Sequence, residues 1–266
     1  MNNKNFALIT GASSGIGLAI SAELAKRGHH LLMVSIEGEK LAQEARNLEK
    51  IFNIKTFTLC MNLAEEDSAQ KLFDYCKSNS IIIDILVNNA GIFFFKDVTD
   101  TSSDKIKTMI NLHIITPSAL CQLFAGQMIE DNRKGFILNM ASVSSRMMMP
   151  GIAFYSSTKS FIRCFSRCMR NEVFDKGVSV TAISPGAVAT GLYNLPSRYL
   201  KLGIKLGVIM KPERLAALAV KKMFKRRKEF IPAAFINTLF ILIVNILPEK
   251  FVRKIKRKIN ARLKKT

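Results

Sequence analysis

The feature that most constrains this chain lies at its start. Phe6-Ala-Leu-Ile9 is a short apolar run of strand character, and it passes directly into Thr10-Gly11-Ala12-Ser13-Ser14-Gly15-Ile16-Gly17. Ile16, Ala19, Ile20 and Leu24 then recur at helical spacing. Strand, glycine loop and helix in that order permit few folds. Glycine allows the tight turn and lets backbone N–H groups approach a pyrophosphate at the helix N-terminus.

The alternation continues. Strands are expected at Leu31–Ser35, Thr56–Cys60, Ile83–Val87, Phe136–Ala141 and Val178–Ile183, with a short last one at Phe230–Ile231. Helices are expected near 37–52, over Ser68–Lys77, about 103–131, and from before Tyr155 to about 175. Such alternation implies an α/β fold, a Rossmann-like doubly wound parallel sheet with helices on both faces. Ligands of such sheets bind beyond the carboxyl ends of the strands. The glycine loop, Asn88–Gly91, Ser142 and Pro185-Gly186 all follow strands directly, so they are expected on one edge.

One stretch on that edge carries chemistry. Tyr155 and Lys159 stand four apart and project from one helix face. A free phenol has a pKa of roughly 10, and a lysine ammonium one turn away favours phenolate, bringing proton exchange toward neutral pH. Ser142, at the end of the preceding strand, can hold a substrate oxygen beside the phenol. The pair suits a carbonyl becoming an alkoxide.

Thr-Gly-x3-Gly-Ile-Gly at 10–17, Asn-Asn-Ala-Gly at 88–91, Ser142, Tyr-x3-Lys at 155–159, and Pro-Gly at 185–186 with Thr190 beyond resemble the short-chain dehydrogenase/reductase family, in its order, over residues 6 to about 232. The resemblance implies that Tyr155 is the general acid in reduction and the base in oxidation. Lys159 would lower its pKa and bind the nicotinamide ribose, and Ser142 would bind the substrate oxygen. Gly11, Ser13, Ser14, Gly15, Ile16 and Gly17 would hold the pyrophosphate. Asn89, Ala90 and Gly91 would line the adenosine side, with Asn62 and Leu63 at the adenine. Pro185, Gly186, Val188 and Thr190 would meet the nicotinamide. No metal is implied.

Three positions depart from the pattern. Asn111 invites the role of the family's helix asparagine, while the flanking residues resemble family segments that place it at His113; whether His113 relays protons or is a satisfied buried side chain is left open as well. Pro117 removes the N–H that would bond back to His113, so a bend is expected there. Asn62 stands where an aspartate is usual. Ser35, at the end of the second strand, carries no acid to bind the ribose hydroxyls and repel a 2′-phosphate. Glu37 is near enough to serve, while Ser35 and Lys40 can host a phosphate. The balance leans to NADP(H) over NAD(H).

The net charge of +20 is unevenly placed: residues 1–200 hold 21 Lys/Arg and 17 Asp/Glu, residues 201–266 hold 19 and 3. Two regions are therefore expected: a catalytic domain over 1–232, with a substrate flap at about 190–210, and a C-terminal extension over 233–266. Ala233–Leu247 is polar only at Asn237, Thr238 and Asn245, and as a helix of ~22 Å it falls short of the ~30 Å hydrocarbon core. Beyond it Phe251, Val252, Ile255, Ile259 and Leu263 form a stripe backed by Lys and Arg, the pattern of an interfacial helix on anionic lipid. Packing on the chain's own sheet or on a second subunit is the competing account. Nucleic acid is not expected, since aromatic platforms among the basic residues are sparse.

Five cysteines, an odd number without Cys-x2-Cys spacing, and no recognisable leader point to reduced thiols and a cytoplasmic protein, peripheral on the inner face of a membrane. Cys164 and Cys168 share a helix face and read as buried small apolar residues. The expected activity is NAD(P)(H)-dependent interconversion of a ketone and a secondary alcohol. The substrate would be a small carbonyl or alcohol compound, apolar and lipid-like (3-oxoacyl or 3-ketosphinganine type), since Met147–Met149 and Gly191–Met210 are rich in apolar residues. A soluble hydroxysteroid or polyol dehydrogenase, or a dinucleotide-binding sensor without turnover, are the alternatives. The resemblance also implies a homodimer or homotetramer.

Overall fold

The computed structural model describes residues 6–193, 197–248, 250–253 and 256–257. Seven strands form one parallel sheet: β1 (Phe6–Thr10), β2 (His30–Ser35), β3 (Thr56–Cys60), β4 (Ile83–Asn88), β5 (Gly135–Met140), β6 (Val178–Ile183) and β7 (Glu229–Phe230). Their order is β3-β2-β1-β4-β5-β6-β7. The last strand starts one residue earlier than expected. The order reverses beside β1, which opens a crevice between the loops after β1 and β4.

Alternation along the strands explains how the sheet buries both faces. Ala7, Ile9, Leu31 and Met33 point into a core covered by α1 (Gly15–Lys26), α2 (Gly38–Phe52) and α8 (Pro212–Phe224), where Leu24, Leu41 and Val220 close it. Leu8, Leu32 and Val34 point the other way, toward α3 (Ser68–Ser78), α5 (Thr116–Glu130) and α6 (Ala153–Val173), meeting Leu72, Phe124 and Met169. Near-continuous apolar strands are what a sheet covered on both faces requires.

The single helix expected over 103–131 is divided. α4 (Ser103–Ile110) and α5 are joined by a π-helical turn, Asn111–Ile115. Pro117 accounts for it: without an N–H at 117 the α-helical ladder cannot close on His113, and the wider turn absorbs the gap.

Cys164 and Cys168 are exposed, contrary to the expected burial. The buried stripe of α6 runs through Tyr155, Lys159, Ile162, Ser166, Met169 and Val173, which leaves the two cysteines on the opposite side.

After β6 come α7 (Ser197–Lys205) and α8, and after β7 comes α9 (Ala234–Ile246). α9 is apolar; with 13 residues it is ~20 Å long. The one longer apolar helical stretch among the described residues, Ser103–Glu130, is the α4–α5 unit that packs on the sheet. Of the expected C-terminal stripe, Phe251 is exposed and Val252 half-buried; Ile255, Ile259 and Leu263 lie outside the described residues.

Candidate active site

A cleft of ≈ 470 Å³ follows the carboxyl edge of the sheet. Of the residues singled out from the sequence, Gly11, Ser13, Ser14, Gly15 and Ile16 line its floor, with Ser35, Asn62 and Leu63 at one end. Asn89, Ala90 and Gly91 occupy the middle, and Ser142, Tyr155, Lys159, Pro185, Gly186, Val188 and Thr190 the other end. Gly17 does not line the cleft. It lets α1 start against the loop: a Cβ there would stand 2.1 Å from the Gly11 carbonyl oxygen and 2.6 Å from the Asn89 amide nitrogen.

Asn89 and Thr10 tie the ends of β4 and β1 together. Asn89 donates through its backbone N–H to the Thr10 hydroxyl (2.9 Å) and through its amide to the Thr10 carbonyl (2.9 Å). The amide nitrogen thereby joins the two strand ends, and the residue still lines the cleft. Gly91 is required for close approach, since a Cβ would lie 2.9 Å from His113 Nε2.

Ser142 is extended and starts a short turn, Val143–Arg146; its Oγ accepts the Ser144 N–H at 3.1 Å, which leaves its proton to donate. Arg146, at the end of that turn, and Arg163 on α6 both pair with Glu229 at the start of β7, the latter at 2.9 Å. Burial raises the Glu229 pKa, but the two guanidinium groups outweigh it and hold the carboxylate ionised. The Ser142 turn is thus anchored to both β7 and α6.

Tyr155 is buried, its ring set edge-on to Phe93 (5.0 Å between centroids) and to His113 (5.8 Å). Lys159, one turn on, is buried too. Its Nζ donates to the Met140 carbonyl at 3.0 Å and stands 5.8 Å from the Tyr155 ring centre. Burial pulls the Lys159 pKa down to about 8. An ammonium kept there without a carboxylate partner is poised toward the cleft, where a ribose hydroxyl can satisfy it.

His113, not Asn111, is the residue beside this pair. Asn111 turns away and donates to the Ala64 carbonyl at 2.8 Å. His113 Nε2 accepts the Ile92 N–H at 3.0 Å, so Nδ1 carries the proton and donates to the Thr158 hydroxyl (3.0 Å), which donates in turn to the Tyr155 carbonyl (2.9 Å). Burial first, and then the Lys159 charge, hold its pKa well below the usual imidazole value. Both ring nitrogens are committed to protein partners, so the ring orients its surroundings.

At the far end Ser13 Oγ stands 2.6 Å from Glu37 Oε2 and 2.8 Å from Ser35 Oγ, and Lys40 approaches the same carboxylate oxygen at 3.4 Å. The Ser13 hydrogen bond and the Lys40 charge lower the Glu37 pKa. Glu37 lines the cleft. Ile92, Leu112 and Met140 also line it; apolar side chains carry no chemical signature in a sequence, and only the strand-end position of Met140, two before Ser142, marks it out.

The model of the short chain dehydrogenase family matches residues 5–197. Very-long-chain 3-oxoacyl-CoA reductase from Mus musculus is 34% identical over 194 residues, 70% of this chain and 60% of that protein. The Homo sapiens protein of the same name is 34% identical over 216 residues, 75% and 67% of the two chains. The chain thus aligns with about three fifths of the mouse protein's length. A short-chain dehydrogenase from Sphingobium yanoikuyae, solved in complex with NADPH, superposes with a TM-score of 0.78 at 26% identity over 88% of this chain and 92% of that one. Fold, matched residues and site order lead to one conclusion: the chain belongs to the short-chain dehydrogenase family.

Proposed function

We propose that the protein is an NAD(P)(H)-dependent oxidoreductase that interconverts a ketone and a secondary alcohol, acting as a reductase on a lipid-like ketone of the 3-oxoacyl or 3-ketosphinganine class. The observation that carries the reaction class is the grouping of Ser142, Tyr155 and a buried Lys159 at one end of a cleft floored by a glycine loop. The substrate class rests on the names of the mouse and human relatives and on the apolar surroundings of Tyr155, where Phe93, Phe94, Phe95, Ile152 and Met149 pack.

The residues fit a dinucleotide. Gly11–Gly17 place a helix N-terminus and backbone N–H groups toward a pyrophosphate, and Lys159 offers donors to a ribose. The bound nicotinamide supplies or accepts the hydride. Ser142 donates to the substrate oxygen and fixes its position. Tyr155 gives that oxygen a proton as negative charge develops on it. The Lys159 ammonium favours the phenolate that remains, and His113 holds the helix turn carrying Tyr155 through Thr158. Orientation and proton delivery are the protein's share.

The choice between cofactors turns on Glu37. Ser35 bears no acid, which leans to NADP(H). Glu37, however, has its carboxylate fixed by Ser13 within the glycine loop, in a place to accept from ribose hydroxyls and to repel a 2′-phosphate. The Sphingobium structure holds NADPH, which speaks for that protein's own site. On the Glu37 geometry we favour NAD(H) here.

The basic, apolar C-terminal region supports a peripheral position on the cytoplasmic side of a membrane, and the family supports a homodimer or homotetramer. A panel of carbonyl compounds read by nicotinamide fluorescence tests the reaction. Turnover of 3-oxoacyl compounds above polyols and steroids is expected; binding of dinucleotide without turnover of any carbonyl would overturn it.

A further inference from the structure

α9 is apolar but for Asn237, Thr238 and Asn245, and a helix so rich in apolar residues belongs in a core or against an apolar partner. Its inner side has partners. Ile241 and Val244 pack with Val143 and Met147. Asn245 donates to the Arg146 carbonyl at 2.8 Å and accepts the Met148 N–H at 3.3 Å. Asn237 lies so near Gly186 that a Cβ on the glycine would stand 2.5 Å from its amide oxygen. The inner side therefore touches the Ser142 turn and the loop after β6, both at the substrate end of the cleft.

The outer side is bare. Ile236, Leu239, Leu242, Ile243 and Ile246 are exposed, Ile246 to 77%. The bare surface continues beyond the helix. Ile236 and Val208 line one small hollow with Pro185 and Gly186, so the exposed Val208 adjoins α9; Leu202 and Leu206, on and just after α7, are exposed as well. At the other end Met148, 81% exposed, joins through Asn245. A contiguous apolar surface of this extent marks an interaction site.

Charge selects the occupant. Lys201, Lys205, Lys211 and Lys250 are exposed around this surface, in a region holding 19 Lys/Arg and 3 Asp/Glu. A second copy would bring the same positive rim against this one, whereas anionic headgroups neutralise it. At ~20 Å the helix cannot cross a ~30 Å hydrocarbon core and must lie along it.

We propose that the outer side of α9 with the end of α7 docks on an anionic lipid bilayer. This sets the substrate end of the cleft at the membrane, so that an acyl ketone passes from lipid to Tyr155. The proposal rests on the lipid-ketone reading above and adds its surface.

The experiment is flotation of the full chain with phosphatidylcholine vesicles, with and without phosphatidylserine, alongside turnover of two substrates: a small water-soluble ketone, and a 3-oxoacyl compound carried in the vesicles. Wild type should float with the anionic vesicles. The triple variant Leu239→Glu, Leu242→Glu, Ile246→Glu should bind them about tenfold or more weakly and lose vesicle-borne turnover, yet keep small-ketone turnover. Should that variant not fold, Lys201→Glu with Lys205→Glu leaves the apolar surface intact and should weaken binding to anionic vesicles alone. Flotation that ignores phosphatidylserine, or that the variants leave unchanged, overturns the proposal. So does a wild-type dimer that the triple variant splits in sedimentation, which gives the surface to a second copy. Wild type that floats but turns over neither ketone counts against the reaction and leaves the docking surface standing.

Discussion

Lys159 Nζ donates to the Met140 carbonyl at 3.0 Å, two residues before Ser142. The cation of the reacting group is thereby tied to the strand that delivers the hydroxyl, and α6 cannot slide along β5 without separating them. Tyr155, one turn from Lys159 on that helix, inherits the same register.

Tyr155→Phe keeps the ring and its contacts with Phe93 and His113 while removing the proton donor. Turnover should fall by at least ~10²-fold, the usual worth of a positioned general acid, with dinucleotide still bound. Single-turnover kinetics with fluorescence titration of the cofactor check both parts. Near-normal turnover would remove Tyr155 from the chemistry.

Lys159 gives a pH signature of opposite sign in binding and in stability. Its folded pKa is about 8 against ~10.4 in an unfolded chain. Between those values the unfolded chain keeps a proton that the folded one has shed, so the cost of the buried charge, fully present below about pH 8, is relieved as pH rises. Stability should climb across that window in wild type relative to Lys159→Met. Cofactor affinity should move the other way, falling above about pH 8 as the ammonium is lost. Lys159→Met should impair both rate and cofactor binding, and parallel pH curves for wild type and variant would refute the assignment.

His113 is neutral and doubly hydrogen-bonded, so a pH–rate profile should show no imidazole inflection between about pH 6 and 7. His113→Ala strands the Ile92 N–H, and urea unfolding at neutral pH should register a loss of about 1–3 kcal/mol. The folded pKa lies well below the usual imidazole value, so the unfolded chain takes up a proton first as pH drops. Wild type should lose stability below about pH 6.5, and the variant should lose less over the same range.

Much of this was legible in the sequence, for a physical reason. Gly11–Gly17, Ser142 and Tyr155–Lys159 stand at strand ends or at one helical spacing, and a parallel sheet brings strand ends together whatever else the chain does. His113 was legible by position, not by role, because its partners Ile92 and Thr158 come from other elements. Cys164 and Cys168 were misread for a related reason. The buried stripe of α6 contains Ser156, Thr158, Lys159 and Ser166, so polarity does not mark which side faces inward. The Asn237–Gly186 approach depends on where α9 returns after β7, which no local pattern encodes.

Glu37 separates the cofactors. Its carboxylate accepts from Ser13 at 2.6 Å, and Ser13 belongs to the loop that would cradle the dinucleotide, so a 2′-phosphate entering there meets a like charge. At ~4 Å such charges repel by roughly 1 kcal/mol in water and by more at a protein surface. NADH should therefore bind more tightly than NADPH in calorimetric titration. Glu37→Gln keeps the side chain's size and its ability to accept from Ser13 while removing the charge, and NADPH affinity should rise by about tenfold. NADH affinity should fall modestly with the loss of a charged acceptor for the ribose hydroxyls. Lys40, released from Glu37, would then be available to the phosphate, and adding Lys40→Gln should cancel part of the gain. If wild type already prefers NADPH, and Glu37→Gln leaves the ratio unchanged, the carboxylate does not face the ribose and Ser35 with Lys40 receives the phosphate instead.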